Sequence, residues 1–388
     1  MSAVLTERSV EFLRDLIAFP TISTDSNLAI IDYLAERLAS LGARVIITRD
    51  EAGEKANVFA TLGPDVKGGV LLSGHTDVVP VTDQDWTTDP FALTEAEGLL
   101  YGRGTCDMKG FIAAAMALAE SVDPAALKRP LHLAFTHDEE TGCLGASHLV
   151  KDLEARGIVP DIAIIGEPTE MKIIEGHKGC YEYTTRFTGL EGHGSAPDLG
   201  VNAAEYAVRY VSRLMSLREG LVARTPAGSR FEPPYTTINI GRISGGVAHN
   251  VIVGKAEVDW EMRPVQVSDA DFVKSEIGRY CEEELLPAMR RVHPSASIST
   301  TAIGEVAGLE PMEHNAAREL VAELTGANSA ETVPFGTEAG LFQALGSHVV
   351  VCGPGSIRQA HKPDEFLSRD QLALCCDMLV KLGERLSR

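Results

Sequence analysis

The chain has 388 residues and a formal net charge of −20, with 55 acidic against 35 basic side chains. This length is enough for two domains and a large apolar core. The acidic balance argues against nucleic acid or an acidic membrane surface as a partner, because both would repel the chain. It is compatible with a cationic substrate or a metal ion, although most such charge serves solubility.

The cysteines and the first residues of the sequence predict a cytoplasmic protein. The seven cysteines form no C-x-x-C pair, and Cys375 and Cys376 are adjacent in a helical pattern, which does not suit a disulfide framework. Glu7, Arg8 and Glu11 occupy the region where a signal peptide would have its apolar core. No apolar stretch approaches the roughly 20 residues that a membrane-spanning helix needs.

Helix and strand signals alternate through the first 168 residues. Apolar residues at helical spacing predict helices near 5–17 and 31–41, and Gly42 provides a C-cap for the second. The predicted strands are 43–48, 57–62, 69–73, 131–136 and 161–165, with further helices at 110–120 and near 145–155. Such alternation is typical of a mostly parallel α/β sheet.

The pattern changes at Tyr181, where apolar and polar residues alternate as on a half-exposed antiparallel strand. The predicted elements that follow are a helix at 201–219, strands at 236–243 and 251–262, a helix at 270–291 and a strand at 295–303. Ser268 and Asp271 have the spacing of a capping box for the second helix. The order β-α-β-β-α-β is that of a ferredoxin-like unit. Helices cover one face of its sheet, so we expect a partner subunit on the other.

After Glu305 the α/β pattern resumes, with a helix at 314–325, strands near 332–333 and at 348–352, and a capping box at Ser368 for the last helix. The predicted fold class is therefore α/β, with a mostly parallel sheet in the main domain and an inserted ferredoxin-like α+β domain. The predicted boundaries are 1–179 and 305–388 for the discontinuous main domain and 180–304 for the insertion.

Histidines and acids recur where the predicted strands end. The central strand ends at Ser73-Gly74 and is followed by His75 and Asp77. The other positions at strand ends or at a helix start are Asp107, Glu139, Glu140, Glu167 and His361. Ligands bind beyond the carboxyl ends of the strands in an open α/β sheet, so we expect these side chains to meet. One alone would be an ordinary surface residue, whereas the set indicates a site.

The donor types in this set point to a metal centre. Zinc takes histidine nitrogen and carboxylate oxygen from proteins. Five candidate ligands are too many for one tetrahedral ion and fit two ions that share a carboxylate: His75, Asp107, Glu140, Glu167 and His361. Asp107 is the natural bridge because its helix-start position is central. A set without cysteine suits Zn²⁺, Co²⁺ or Mn²⁺.

Asp77 and Glu139 are predicted to assist these ligands. A histidine ligand usually gives its other N–H to a carboxylate or carbonyl, so Asp77 is placed to orient His75. Glu139 points away from its neighbour Glu140 and is a candidate general base, which would take a proton from water and return it to a leaving amine. Taken alone, two glutamates at a helix start would be explained by the helix dipole.

The predicted insertion contributes three candidates for contact with a substrate. His193 lies on a glycine-flanked loop and could donate to a developing oxyanion, the alternative being an exposed loop histidine. Arg263 ends a predicted strand and Asn250 precedes another, so either could hold a substrate carboxylate. As isolated residues, both are better explained by structural roles.

Four motifs resemble those of the M20 metallopeptidase family over nearly the whole chain: SGHTDVVP at 73–80, GRGTCDMKG at 102–110, THDEET at 136–141 and IGEPT at 165–169. The resemblance implies a di-zinc hydrolase catalytic domain with an inserted lid and dimerisation domain, and Co²⁺ or Mn²⁺ as substitutes. It implies the following roles: His75 and Glu167 on one ion, Glu140 and His361 on the other, Asp107 as bridge, Asp77 orienting His75 and Glu139 as general base.

The same resemblance implies a homodimer in which His193 acts at the active site of the other subunit. The stretches 86–91, 177–179, 335–339 and 353–365 further imply hydrolysis of N²-acetyl-L-ornithine to acetate and L-ornithine in arginine biosynthesis. Glu338 is then expected to select the side-chain ammonium. The alternatives are a succinyl-diaminopimelate desuccinylase, a broader N-acyl-amino-acid hydrolase, and a catalytically silent binding homologue, which the complete ligand set disfavours.

Overall fold

The computed structural model describes residues 2–388, which form two compact units. Unit 1 contains the chain up to Gly176 together with Pro311–Thr332 and Thr337–Arg388. Unit 2 contains His177–Glu310 and Val333–Gly336. The predicted insertion at 180–304 lies inside unit 2, so unit 1 is built from segments far apart in the chain.

The helices and strands are numbered in chain order. The helices are α1 (Ser2–Ile17), α2 (Leu28–Ser40), α3 (Gly110–Ser121), α4 (Leu144–Ala155), α5 (Ala203–Val222), α6 (Val267–Tyr280), α7 (Leu286–Arg290), α8 (Ala316–Thr325), α9 (Ala339–Leu345) and α10 (Arg369–Leu386). Within residues 2–388, none of these helices has the length and apolar character needed to cross a membrane.

The strands are β1 (Arg44–Arg49), β2 (Ala56–Leu62), β3 (Val70–His75), β4 (Thr94–Ala96), β5 (Leu99–Tyr101), β6 (Leu131–Thr136), β7 (Ile162–Pro168), β8 (Ile173–His177), β9 (Cys180–Thr188), β10 (Gly192–His193), β11 (Thr237–Gly245), β12 (Val251–Ile252), β13 (Lys255–Arg263), β14 (Ser297–Val306), β15 (Ala330–Val333), β16 (His348–Gly353) and β17 (Phe366–Ser368).

The large sheet has the strand order β1-β2-β6-β3-β7-β16-β8-β15. Its central strands β6, β3, β7 and β16 are parallel, which confirms the mostly parallel sheet that the sequence predicts. The pairs β1–β2 and β2–β6 are antiparallel. The short connection between β1 and β2 accounts for their direction, because a parallel pair needs a crossover of a dozen or more residues. All of β3 is buried, as expected for a strand covered on both faces.

Helix α3 packs unusually close to the centre of this sheet. All of its residues up to Ala119 are buried. Gly166 in β7 permits the approach, since a Cβ atom there would lie 1.9 Å from Cγ of Phe111. The ring of Phe111 thus occupies the space beside the backbone that precedes Glu167, which fixes the end of the strand that carries this acid.

The sheet of unit 2 has the order β11-β13-β9-β14 with antiparallel pairs. With α5 and α6 it has the predicted β-α-β-β-α-β arrangement, and this part of the fold is confirmed. The partner subunit expected on the open face stays a prediction, and the composition of this face does not require one. Arg242 pairs there with Asp259 and Glu257, and Arg186 also pairs with Glu257, so the face is charged and stable in water.

Two local predictions have opposite outcomes. Ser368 caps α10 as predicted, because its hydroxyl accepts a hydrogen bond from the backbone N–H of Gln371. The capping box at Ser268 is wrong, since α6 begins at Val267 and Ser268 lies inside it. The neighbouring Asp269 is buried and accepts hydrogen bonds from Arg224 and the Thr236 hydroxyl, and this tertiary network fixes the start of the helix.

The buried His177 predicts a loss of stability in acid. Its ring donates through Nδ1 to the carbonyl of Lys178, and burial lowers its pKa to about 4. The unfolded chain, with a histidine pKa of about 6.5, therefore binds more protons as the pH falls from 6.5 towards 4. This group should cost about 2 kcal/mol of stability by pH 5 and about 3 kcal/mol below pH 4.

The measurement is the difference in Tm between pH 7 and pH 5 in chelator-treated protein. His177→Gln should make that difference smaller than in the wild type, because the glutamine does not titrate. His249→Gln, at an exposed position, serves as the matched control and should leave it unchanged. An equal pH dependence in His177→Gln and wild type would contradict the assignment.

Candidate functional site

The carboxyl ends of the parallel strands bring the predicted metal ligands together within unit 1. His75 ends β3, Glu167 lies near the end of β7, and His361 follows β16. Glu140 lies on the segment after β6, and Asp107 lies in the irregular turn before α3, where its backbone (φ −121°, ψ 93°) is not helical. This is the edge at which open α/β sheets bind ligands.

Asp107 lies between the two histidines. Nε2 of His75 is 3.0 Å from Asp107 Oδ1, and Nε2 of His361 is 3.2 Å from Asp107 Oδ2. Each histidine also faces a glutamate, with His75 3.7 Å from Glu167 Oε1 and His361 3.1 Å from Glu140 Oε1. The five predicted ligands therefore form two groups that share one carboxylate.

The same side chains fit a metal ion by burial and by donor type. Ligand atoms of His75, Asp107 and Glu140 all lie within 4.8 Å of one another, as do those of His75, Glu139 and Glu167. Glu167 Oε1 is buried and has no hydrogen-bond partner within residues 2–388. An unpaired buried carboxylate oxygen is costly, and a divalent cation would compensate it. Glu139, predicted as a base, is thus as near to the centre as the ligands are.

The electrostatics of the cluster follow from close charges in a buried place. Burial disfavours the ionised form of Asp107, yet hydrogen bonds with His361 and His75 hold its pKa below the ordinary range. Burial and neighbouring carboxylates raise the pKa of Glu139 and of Glu167 well above the usual value. Hydrogen bonds to Asp107 and Glu140 raise the pKa of His361 to about 10. A divalent cation would compete with protons for these lone pairs.

The ring of His75 is held by Asp77 through the backbone carbonyl of that residue rather than through its carboxylate. Its Nδ1–H donates to the backbone carbonyl of Asp77 at 2.9 Å, while the nearest Asp77 carboxylate oxygen is 3.6 Å from Nδ1. This bond leaves Nε2 as the ring nitrogen that faces the cluster, where it would bind a cation after losing its proton. The carboxylate of Asp77 instead accepts the Ser23 hydroxyl and the backbone N–H groups of Glu139 and Glu140. It therefore fixes the segment that carries both glutamates.

The three candidates from the insertion belong to unit 2. His193 is exposed in β10, and its Nδ1 lies 2.7 Å from the Ser195 hydroxyl. The backbone N–H of Gly194 donates to the carbonyl of Asn250, so these two loop positions adjoin. Arg263 ends β13 and is 2.7 Å from the Glu261 carboxylate. All three candidates thus belong to unit 2, whereas the predicted ligands belong to unit 1.

Glu338 lies in unit 1 with its side chain fully buried, just before α9. One of its carboxylate oxygens accepts the hydroxyl of Ser73 at 2.6 Å, and the other accepts the hydroxyl of Thr136 at 2.8 Å. These bonds fasten the ends of β3 and β6 beneath the cluster. This placement favours a structural role over contact with substrate, and the selection of an ammonium group by Glu338 stays a prediction.

Sequence reasoning missed two charged residues beside the cluster. Arg103 and Glu365 form a buried ion pair at 2.7 Å. Both lie inside stretches that resemble the M20 family, at 102–110 and 353–365, but neither is at the end of a predicted strand. The available signal was charge: an arginine flanked by glycines and an acid soon after His361.

Removing divalent cations is expected to destabilise the protein. The cluster places several buried carboxylates within a few ångströms, and a cation that binds only the folded state stabilises it by about 4 kcal/mol at a thousandfold excess over Kd. A chelator should therefore lower Tm, and added Zn²⁺ should restore it. Glu167→Gln should reduce this metal-dependent gain, whereas Glu331→Gln, outside the cluster, should not. A Tm indifferent to both chelator and Zn²⁺ would show that the cluster holds no cation.

Residues 71–385 match peptidase family M20/M25/M40. An acetylornithine deacetylase from Proteus mirabilis (strain HI4320) is 41% identical over 369 residues, which cover 92% of this chain and 91% of that protein. An acetylornithine deacetylase from Pasteurella multocida (strain Pm70) is 38% identical over 375 residues, which cover 95% of each chain.

The fold is also that of solved structures whose sequences have diverged further. An M20 family metallo-carboxypeptidase from Sulfolobus solfataricus has a TM-score of 0.73 at 17% identity, over 98% of this chain and 99% of that one. A tripeptidase from Staphylococcus aureus has a TM-score of 0.70 at 18% identity, over 99% of both chains. The resemblance in the four motifs thus extends to the sequence as a whole and to the fold, and the chain belongs to peptidase family M20/M25/M40.

Proposed function

We propose that this protein is a two-zinc amidohydrolase that converts N²-acetyl-L-ornithine and water into acetate and L-ornithine, a step of arginine biosynthesis. The observation that carries the hydrolytic part is the position of Asp107, with one carboxylate oxygen against each of two histidines. The substrate rests on the names of the two relatives that share 41% and 38% of their residues with this chain.

In this proposal, His75 and Glu167 would hold one ion, Glu140 and His361 would hold the other, and Asp107 would contribute to both. Two such ions, when bound, polarise the amide carbonyl and lower the pKa of water so that it becomes a nucleophile near neutral pH. Zn²⁺ suits nitrogen and carboxylate donors, and Co²⁺ or Mn²⁺ can take its place.

Glu139 is the proposed general base. It receives a proton from the attacking water and passes it to the amine nitrogen as the C–N bond breaks and acetate forms. In the cluster without cations, burial disfavours the ionised carboxylate and raises its pKa. The bonds from the Glu139 and Glu140 N–H groups to Asp77 hold its backbone in place during this transfer.

The proposed substrate contacts are those of unit 2. Arg263 would hold the α-carboxylate of the substrate through two parallel N–H···O bonds, in competition with its present partner Glu261. Asn250 would donate to the same carboxylate, and His193 would donate to the oxyanion that forms at the acetyl group. Glu338, with both oxygens already bonded, would influence the substrate's ammonium only through its charge.

A homodimer through unit 2 completes the proposal, with His193 serving the active site of the second copy. Helix α5 supplies a surface for it. Val208, Met215 and Val222 are spaced by seven residues and are 61%, 43% and 49% exposed. Apolar residues at heptad spacing form a straight stripe along a helix, which a second copy of the same helix can cover.

Amine release from N²-acetyl-L-ornithine by zinc-loaded protein tests the activity. We expect its kcat/KM to exceed that for succinyl-diaminopimelate and for acetyl-methionine, because those substrates differ in acyl group or lack the side-chain cation. Glu139→Gln should lower kcat by about a hundredfold or more, the usual contribution of a general base. If another substrate dominates, the hydrolase stands and the substrate assignment falls. No turnover of any substrate with two zinc ions bound would favour a silent homologue.

Sedimentation equilibrium tests the dimer. Replacing both Val208 and Met215 by Glu places like charges on the stripe and should yield monomers, because buried unpaired charges are costly. Val66→Glu, at an exposed apolar position of unit 1, is the control and should remain dimeric. If His193 acts across the interface, the monomeric variant should also lose activity. A wild-type protein that sediments as a monomer would overturn this part of the proposal.

A further inference from the structure

The ion pair of Arg103 and Glu365 is the most buried charge pair beside the proposed metal centre, and each side chain is only 1% exposed. Neither residue is among the candidate ligands. A buried ion pair is weak support for stability, because desolvation offsets most of its attraction. The role of the Arg103–Glu365 pair therefore has to be read from its hydrogen bonds to the surrounding backbone.

Glu365 binds the backbone that carries Asp107. Its Oε1 accepts the N–H groups of Cys106 and Asp107 at 2.9 and 3.0 Å, and its Oε2 accepts the N–H of Gly104 at 3.0 Å. Asp107 is not helical, so its turn cannot satisfy these donors in the regular way. The carboxylate replaces the missing partners and thereby sets the backbone from which the Asp107 side chain extends.

Arg103 reaches the backbone that carries His361. Its Nη1 donates to the carbonyl of Lys362 at 3.2 Å, in addition to Glu365. Its Nη2 donates to Gln84 Oε1 at 2.6 Å, and Gln84 Nε2 donates in turn to the carbonyl of His361 at 3.0 Å. The Arg103 guanidinium also lies over the ring of Trp86, 5.0 Å from its centroid.

His361 needs such support because of its backbone. Its φ is +64°, a region that non-glycine residues rarely adopt and that costs about 1 kcal/mol or more. Its side chain is 50% exposed, so packing constrains it little. The Gln84 amide donates to the His361 carbonyl, and Arg103 in turn donates to Gln84. These two hydrogen bonds hold the backbone of His361 in place.

We propose that Gln84, Arg103 and Glu365 act together as positioning residues that fix the separation of His361 from Asp107. They thereby set the affinity of the ion that these two residues share with Glu140. This inference rests on the metal assignment of the proposed function. Partners that orient metal ligands typically contribute 10- to 100-fold in metal affinity. The affinity for the ion at His75 and Glu167 depends on other contacts. Loss of the Gln84 side chain should therefore change that affinity much less.

Gln84→Ala is the sharpest test, because Gln84 lies on a half-buried loop and its removal leaves the ion pair intact. Thr87 still ties the same loop to Asp364 through its N–H and hydroxyl, so the variant should fold. Zn²⁺ is titrated calorimetrically into metal-free protein. We expect one of the two ions to bind about 10- to 100-fold more weakly, and the other to bind within about twofold of wild type. Thr82→Ala, exposed on the same loop, is the matched control.

Glu365→Gln tests the contacts that hold the Asp107 turn. Because Asp107 serves both ions, this variant should weaken both, in contrast to Gln84→Ala. Hydrogen exchange of metal-free protein provides a second readout: segment 104–107 should exchange faster in Glu365→Gln and segment 360–363 faster in Gln84→Ala. A purely structural role would lower Tm of the metal-free protein without a selective loss of one ion.

The outcomes separate this inference from the proposed function. If Gln84→Ala binds both zinc ions as tightly as wild type, the inference is overturned while the proposed function stands. If wild-type protein binds fewer than two ions, the two-zinc assignment is overturned. Hydrogen exchange then decides whether these residues hold segments 104–107 and 360–363. Unchanged exchange in both variants would overturn the positioning role as well.

Discussion

The structure depends on the repulsion among carboxylates that are buried together at one edge of the large sheet. Asp107, Glu139, Glu140 and Glu167 lie around two histidines, with Asp107 and Glu167 buried and His361 half-exposed. At such distances like charges cannot all stay ionised without compensation. The cluster must therefore take up protons or cations, and the surrounding protein has to hold it open against its own charge.

Other buried acids provide that restraint without joining the cluster. Asp77 accepts N–H groups of the segment after β6, Glu338 accepts hydroxyl groups from the ends of two strands, and Glu365 accepts N–H groups of the Asp107 turn. Each of these carboxylates fixes a different ligand-bearing segment. A carboxylate can accept several bonds at once, so one buried acid can order a whole turn. In this protein, buried acids therefore serve as structural anchors as well as candidate ligands.

The sequence predicts the architecture well, because hydrophobic periodicity reports burial directly. The alternation of strand and helix signals through residue 168 predicts the parallel centre, and the β-α-β-β-α-β order after Tyr181 predicts the ferredoxin-like unit. It predicts less about contacts between distant segments. The capping box at Ser268 is overridden by Asp269, whose partners Arg224 and Thr236 are remote in sequence. Asp77 orients His75 through its backbone carbonyl, which carries no sequence signal. Arg103 and Glu365 form an ion pair although 261 positions separate them in the sequence.

The distance in the chain between those last two residues has a consequence for synthesis. A ribosome produces the Asp107 turn early, but Glu365 emerges only after all of unit 2 has been made. The nascent N-terminal segment contains His75, Asp107, Glu140 and Glu167, yet lacks both His361 and the carboxylate that orders the turn. The contact between Glu365 and the Asp107 turn also forms slowly, because closing so long a loop costs conformational entropy. The complete cluster can therefore form only after both His361 and Glu365 have been synthesised.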